Sequence, residues 1–140
     1  MLKNIPSIIS PDLMKILLEM GHGDEILIAD GNYPCHSSGT KVVRSDGHGI
    51  PNILEAIIKY FPLDTFAEDN VILMDNGLNI KPSIWKDYEV ILKNSKENYK
   101  IKTVERFDFY ERAKNVYCII ATSEKSLYAN IILKKGVVES

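Results

Sequence analysis

The chain has 140 residues, of which 45% are apolar and 26% are charged, and its formal net charge is −2. This length predicts one domain with a sizeable core, over residues 1–140, and the composition is typical of a soluble globular protein. The scattered basic residues and the slight negative charge argue against nucleic-acid binding. No apolar run approaches the roughly 18 residues that cross a bilayer, so no membrane association is predicted.

The cysteine content predicts a cytoplasmic protein. Cys35 and Cys118 are too few for a disulfide framework, and Cys118 lies within an apolar run. Free thiols are typical of the reducing cytoplasm. The N-terminus lacks the long apolar stretch of a signal peptide, which agrees with that location.

Helix and strand signals alternate along the first half of the chain. Ser10 is a hydroxyl N-cap, Pro11 suits the first helical position and Gly21 is a natural stop, so a helix is predicted between them. Pro51 opens a second helix, which Pro62 is expected to end. Short apolar runs predict strands at 25–29, 41–44 and 71–74.

The second half of the chain continues this alternation. A helix is predicted over 83–93, where Trp85 and Tyr88 share one side, and another over 105–115. Strands are predicted at 99–104, 116–121 and 130–133. Strands that alternate with helices predict an α/β fold: a single compact domain with a mostly parallel or mixed central sheet flanked by helices.

Motifs for metal, nucleotide and nucleophilic chemistry do not occur in the sequence. The three histidines fall among three aspartates, but their spacing matches no helical histidine pair and no Cys/His zinc pattern. No complete Gly-x-Gly-x-x-Gly or Gly-x-x-x-x-Gly-Lys loop occurs, and the neighbours Cys35 and His36 cannot aim their side chains at each other along an extended chain. We therefore predict no metal and no cofactor. The three histidines considered as metal ligands are His22, His36 and His48, and the three aspartates are Asp24, Asp30 and Asp46.

Acid–base chemistry is the remaining class, and it centres on the segment 21–30. His22 and Asp30 stand at the two ends of the apolar run 25–29. A neutral histidine has one ring nitrogen that donates and one that accepts, so it can move a proton near neutral pH. Asp30 would stand at the carboxyl end of a strand, where open α/β sheets bind ligands. Either both residues belong to turns, the simpler interpretation from composition alone, or the strand delivers two polar groups to one pocket.

Three segments resemble the L-fucose mutarotase and D-ribose pyranase family. They are MGHGDEILIADGNYPCHS at 20–37, RFDFYERA at 106–113 and YANIILKKGV at 128–137. The resemblance runs nearly end to end, with the segments in the family's order and at its spacing. It implies an isomerase that interconverts sugar anomers by opening the ring and closing it on the other face, without a metal, a nucleotide or a covalent nucleophile.

The resemblance also implies roles for single residues. His22 matches the family's proton donor, while Asp30, Arg106 and the stretch Tyr128-Ala129-Asn130 match its sugar-contacting positions. His22 would then move the proton and Asp30 would fix a sugar hydroxyl. Ala129 would act through its backbone; alanine is common there in the ribose branch of the family, whereas the fucose branch often has glycine.

Substrate and assembly are further expectations from the resemblance. Arg106 and the FYERA segment at 109–113 favour L-fucose, because ribose-branch members typically have a histidine at the position of Arg106. The alternatives are a D-ribose pyranase and a non-catalytic sugar-binding module that partners a transporter or a kinase. Family members commonly form decamers, so a ring-like homo-oligomer with sites near subunit boundaries is expected.

Overall fold

Four α-helices and six β-strands alternate within residues 1–139, the part of the chain that the computed structural model describes. The helices are α1 (Pro11–Glu19), α2 (Ile50–Ile58), α3 (Ile84–Ser95) and α4 (Arg106–Ala113). The strands are β1 (Glu25–Ala29), β2 (Lys41–Ser45), β3 (Val71–Met74), β4 (Ile101–Val104), β5 (Cys118–Thr122) and β6 (Ile131–Lys134). Within residues 1–139, no helix is both long enough and apolar enough to cross a membrane.

The strands form one mixed sheet in the order β2-β5-β1-β6-β3-β4. Strand β6 runs antiparallel to both of its neighbours, β1 and β3, whereas the other pairs are parallel. Ile28 near the end of β1 lies opposite Ile131 at the start of β6. The carboxyl ends of the parallel strands and the beginning of β6 therefore meet at one edge of the sheet. The prediction of an α/β fold with a mixed sheet is confirmed.

Side chains that alternate along β1 enter two different core layers. Ile26 and Ile28 pack in the layer that contains α1, α2 and α3. Leu27 and Ala29 pack in the layer that contains α4. Because both faces of the sheet are covered, β1 is apolar on both faces, which accounts for its continuous apolar sequence.

Every predicted element is present, although some ends differ from the prediction. Helix α2 ends at Ile58, before Pro62, and the bond from the Tyr60 N–H to the Ile57 carbonyl, three residues back, tightens the chain at this end. Strand β5 begins at Cys118 and not at residue 116, since Val116 N–H still bonds back toward the end of α4. Sequence analysis also misses a short 3-10 turn at His36–Ser38.

Candidate active site

The carboxyl edge of the sheet carries five of the six residues that the resemblance assigns to the site. Asp30 directly follows β1, Arg106 begins α4 just after β4, and the stretch Tyr128-Ala129-Asn130 leads into β6. Because β6 is antiparallel to β1, this stretch lies beside the last residues of β1. We name the set Asp30, Arg106, Tyr128, Ala129 and Asn130 the Asp30 edge.

Asp30 and Asn130 are buried and joined by two hydrogen bonds. The Asp30 N–H donates to Asn130 Oδ1 at 2.7 Å, and Asn130 Nδ2 donates to Asp30 Oδ2 at 3.2 Å. The other carboxylate oxygen accepts the Asn32 N–H at 3.0 Å. Burial raises the pKa of the Asp30 carboxyl, while these bonds from Asn32 and Asn130 oppose the rise. Asn130 therefore fixes the orientation of Asp30.

Tyr33 lies beside Asp30 on the α4 side of the sheet, and Tyr110 lies beside Tyr33. The rings of Tyr33 and Tyr110 are 5.7 Å apart between centroids, and Tyr128 packs against the same layer. Burial, followed by the proximity of Tyr110, raises the pKa of Tyr33 to about 12. The Tyr33 hydroxyl therefore keeps its proton at neutral pH and can donate a hydrogen bond. Tyr110 belongs to the FYERA segment at 109–113 that favours L-fucose. Sequence analysis does not single out Tyr33, because neither spacing nor composition distinguishes it from core aromatics.

Arg106 is exposed at the same edge and contacts its own neighbour in sequence. Its guanidinium carbon lies 5.0 Å from the centroid of the Phe107 ring. Within residues 1–139 Arg106 forms no salt bridge, with Asp30 or with any other acid. The planar fork of donors on its guanidinium group therefore stays accessible from solvent.

His22 lies at the opposite edge of the sheet, beside Asp64 and Phe66. His22 Nε2 is 3.1 Å from Asp64 Oδ1, and the His22 ring is 5.8 Å from the Phe66 ring. Because a carboxylate only accepts hydrogen bonds, Nε2 carries a proton, and Nδ1 is the acceptor when the ring is neutral. The side chain of His22 is 47% exposed and that of Asp64 only 6%. We name His22, Asp64 and Phe66 the His22 edge.

The Asp64 carboxylate orients the His22 ring. Burial acts to raise the pKa of Asp64, but the hydrogen bonds from His22 and from the Phe66 N–H outweigh it and leave the pKa below its ordinary value. Asp64 is therefore ionised at neutral pH, and it fixes the ring position and the tautomer of its partner. Sequence analysis misses Asp64, because 42 residues separate it from His22 and no spacing rule joins the two.

One chain does not bring His22 and Asp30 into a single pocket. The five residues of β1 lie between them and span about 16 Å at the usual rise of a strand. This corrects the interpretation in which the strand delivers both polar groups to one pocket. The strand presents one group at each edge of the sheet, and each edge holds only part of the expected set.

Neither a metal cluster nor a reactive thiol is found in the part of the chain that the structure describes. Residues 1–139 hold no group of three or more His, Cys, Asp or Glu side chains arranged to bind a metal ion. Cys35 and Cys118 are buried free thiols. Burial raises the pKa of Cys35, and it raises that of Cys118 to about 11. Both thiols are therefore protonated at neutral pH and are poor nucleophiles.

A comparison with protein families matches residues 3–138 to the RbsD / FucU transport protein family. This match covers nearly the whole chain. The chain belongs to this family.

Relatives of known name are similar to this family member over nearly its full length. It is 44% identical over 144 residues to the fucose mutarotase of Danio rerio, covering 98% of this chain and 94% of the relative. A crystal structure of the fucose mutarotase of Streptococcus pneumoniae in complex with L-fucose is 49% identical, with a TM-score of 0.93 and coverage of 99% of this chain and 100% of that one. The structure of Bacillus subtilis RbsD complexed with D-ribose, at 23% identity, 99% and 100% coverage and a TM-score of 0.74, shares the fold.

In this family member, α4 connects the two edges of the sheet. Arg106 begins the helix at the Asp30 edge. Arg112, one residue before the helix ends, binds Glu25 at 2.6 Å and Asp69 at 3.0 Å through Nη2. Glu25 begins β1, and Asp69 lies in the loop that contains Asp64. A helix of eight residues, about 12 Å long, therefore joins the Asp30 edge to the loop of the His22 edge.

Proposed function

We propose that this chain is an isomerase that interconverts the α and β anomers of L-fucopyranose. The observation that carries the proposal is the similarity, over nearly the full length, to fucose mutarotases, including one solved with L-fucose. The Asp30 edge suits a sugar, because its buried carboxylate and buried amide supply hydrogen-bonding groups, and the nearby tyrosines Tyr33 and Tyr110 add aromatic surface. Proton transfer by side chains is the only chemistry that the proposal requires.

Mutarotation consists of ring opening and ring closure, each with two proton transfers. On opening, a base removes the proton of the anomeric hydroxyl as the bond between C1 and the ring oxygen breaks, and an acid protonates the ring oxygen. On closure at the other face of the aldehyde, the two roles are reversed. Positioned acid–base groups contribute roughly 10²–10⁴-fold to such a reaction.

His22 is the proposed proton donor. Because its Nε2–H is held by Asp64, Nδ1 is the atom that would face a sugar. Nδ1 accepts a proton when the ring is neutral and donates one from the imidazolium form, which the Asp64 carboxylate stabilises. Asp30, Arg106 and the stretch Tyr128-Ala129-Asn130 are the proposed sugar-binding groups.

The complete site in this proposal joins the His22 edge of one copy to the Asp30 edge of the next. Such a contact uses two different surfaces, and contacts of this kind generate a closed ring where the rotation allows it. Both edges expose large apolar side chains: Phe66 at the first, Phe107 and Leu127 beside the second. A ring-like homo-oligomer such as a decamer is therefore part of the proposal. So is a cytoplasmic location, which agrees with the free thiols.

Saturation transfer between the anomeric proton signals of L-fucose tests the proposed activity. Micromolar protein should accelerate the exchange, and His22→Gln should lose most of the acceleration, because glutamine forms hydrogen bonds but cannot shuttle a proton. His48→Gln is the matched control, since His48 is an exposed histidine in a different loop. Exchange that stays at the uncatalysed rate with folded wild-type protein would contradict the proposed enzyme.

The same measurement separates the alternative functions. Faster exchange of D-ribose than of L-fucose would favour a ribose pyranase. Sugar binding without accelerated exchange would favour a non-catalytic module that partners a transporter or a kinase.

A further inference from the structure

Two side chains of α3 bond consecutive carbonyl groups of the stretch Tyr128-Ala129-Asn130. Trp85 Nε1 donates to the Tyr128 carbonyl at 3.1 Å, and the Tyr88 hydroxyl donates to the Ala129 carbonyl at 2.5 Å. Trp85 and Tyr88 are both buried, and they lie three residues apart on one face of the helix. Neither donor belongs to the Asp30 edge, and both approach the stretch from the α1–α3 side of the sheet.

The backbone that these bonds hold is in an uncommon conformation. Tyr128 has a φ of +55°, in the left-handed region that tyrosine seldom adopts. A residue keeps such a conformation only where its surroundings enforce it. Here the carbonyl of the left-handed residue and the carbonyl that follows it are both tied to α3.

The left-handed turn brings the stretch across the edge of the sheet. Ala129 is buried in the layer of α1, α2 and α3, whereas the Tyr128 side chain packs against the layer of α4. The next residue, Asn130, bonds Asp30. The directions of the Tyr128 ring and of the Asn130 amide therefore both depend on where the two carbonyls are anchored.

We propose that Trp85 and Tyr88 are positioning residues, which set the affinity for the sugar by holding Tyr128 and Asn130 in place. This inference rests on the proposed function, because it requires a sugar at the Asp30 edge. The two donors hold the stretch that would bind the sugar, and neither bonds the His22–Asp64 pair that would move the proton. Their loss should therefore raise KM and leave kcat nearly unchanged.

Kinetics of Trp85→Phe and Tyr88→Phe test this, because each variant removes one donor and keeps an aromatic ring. We expect KM for L-fucose to rise at least about fivefold in each variant, with kcat within about twofold of wild type, for the loss of one hydrogen bond. Tyr60→Phe is the matched control: it removes the hydroxyl that donates to the Asn4 carbonyl, a bond that does not involve the stretch Tyr128-Ala129-Asn130. Its KM should equal that of wild type.

Tryptophan fluorescence measures the binding of L-fucose independently of turnover. Trp85 is the only tryptophan in the sequence, and its indole N–H is bonded to the Tyr128 carbonyl, so its emission should change when L-fucose binds. Tyr88→Phe keeps this reporter. The sugar concentration for half of the change should be at least about fivefold higher in Tyr88→Phe than in wild type or Tyr60→Phe.

The outcomes distinguish this inference from the proposed function. If wild type accelerates exchange but KM is unchanged in both variants, or only kcat falls, the positioning role is overturned. The proposed enzymatic activity is then retained. A fluorescence response that shifts in Tyr88→Phe, without exchange in wild type, would support the positioning role and contradict the enzyme. Neither exchange nor a response in wild type would overturn both. Failure of both variants to fold, seen by circular dichroism, would show that the bonds serve the fold and would also overturn the positioning role.

Discussion

Asp64 is buried while its partner His22 is half exposed, and this difference separates their roles. The carboxylate is shielded from solvent and has a fixed place beside the Phe66 N–H. The imidazole is half exposed, so a substrate can reach it from solvent. A buried acid that orients an exposed base or acid is a common arrangement in proton-transfer sites, because the buried partner fixes the tautomer.

Asp64→Asn should lower anomer exchange at least about tenfold, because the amide cannot stabilise an imidazolium as a carboxylate does. The side chain has nearly the same shape, so the fold should persist. The measurement is saturation transfer with L-fucose, with Asp46→Asn as the control, since Asp46 is an exposed acid that pairs with Arg44. An Asp64→Asn variant as active as wild type would show that His22 works without this partner.

The same carboxylate predicts how stability depends on pH. The pKa of Asp64 in the folded chain lies below its ordinary value near 3.8. Its ionised form therefore stabilises the fold above that value, and the contribution is lost as the pH falls through the folded-state pKa. The difference in unfolding free energy between wild type and Asp64→Asn should shrink as the pH falls below about 4. Urea unfolding across the acidic range measures it, and a difference that is constant down to about pH 2 would contradict the assignment.

Arg106 should decide which sugar the protein prefers. Its guanidinium offers a planar fork of five donors, whereas histidine is shorter and offers at most two. Arg106→His should therefore weaken L-fucose turnover at least about tenfold and affect D-ribose much less. The measurement is the exchange rate of both sugars, at sub-saturating concentration, in wild type and variant. An equal fall for both sugars would show that Arg106 does not select the substrate.

At the scale of helices and strands, local signals predict what depends on local chemistry. Ser10 was identified as an N-cap from sequence, and its hydroxyl accepts the Leu13 N–H at 3.1 Å. The apolar sequence of β1 likewise predicts a strand covered on both faces. The order of strands in the sheet and the antiparallel β6 depend on contacts between distant segments, which no local pattern encodes. Asp64 was missed for the same reason.

The segment that carries Asp64 is positioned by close contact with the chain after β6. A Cβ at Gly136 would lie 2.5 Å from the Leu63 carbonyl oxygen and 2.9 Å from Asp64 Cα, and the Gly136 N–H donates to the Pro62 carbonyl at 2.8 Å. Only glycine permits this approach, so the turn that holds Asp64 beside His22 depends on the absence of a side chain.

Gly136→Ala should destabilise the fold by about 1–3 kcal/mol, the usual cost of overpacking. It should also lower anomer exchange, because the displaced backbone moves Asp64 away from His22. Thermal unfolding and saturation transfer measure the two effects. Gly21→Ala is the control for stability, since the nearest atom to its added Cβ would be at 3.7 Å, an ordinary contact. Unchanged stability and activity in Gly136→Ala would contradict the role of this contact.

At the scale of the whole molecule, a site built from two copies predicts complementation between inactive variants. His22→Gln lacks the proposed proton donor and Asp30→Asn lacks the buried carboxylate, so each alone should be nearly inactive. When the two are co-expressed and mix at random in one ring, about a quarter of the interfaces combine an intact His22 with an intact Asp30. The mixed rings should therefore recover about a quarter of the wild-type exchange rate.

Light scattering and a second mixture control this experiment. Wild type should have a mass several times the 15.9 kDa of the chain. His22→Gln co-expressed with Asp64→Asn should recover far less, because both changes fall on the same edge and every interface then contains a defect. Recovery in neither mixture, from assembled rings, would contradict a shared site.

The two ends of β1 also bear on how such a protein changes over evolutionary time. The groups that would recognise the sugar lie at one end, and the pair that would move the proton lies at the other, joined by a rigid strand and by α4. A substitution such as Arg106→His can therefore alter which sugar is accepted, while the surroundings of His22 and Asp64 stay unchanged. Relatives that catalyse the same reaction can therefore come to prefer different sugars through changes on a single surface of the chain.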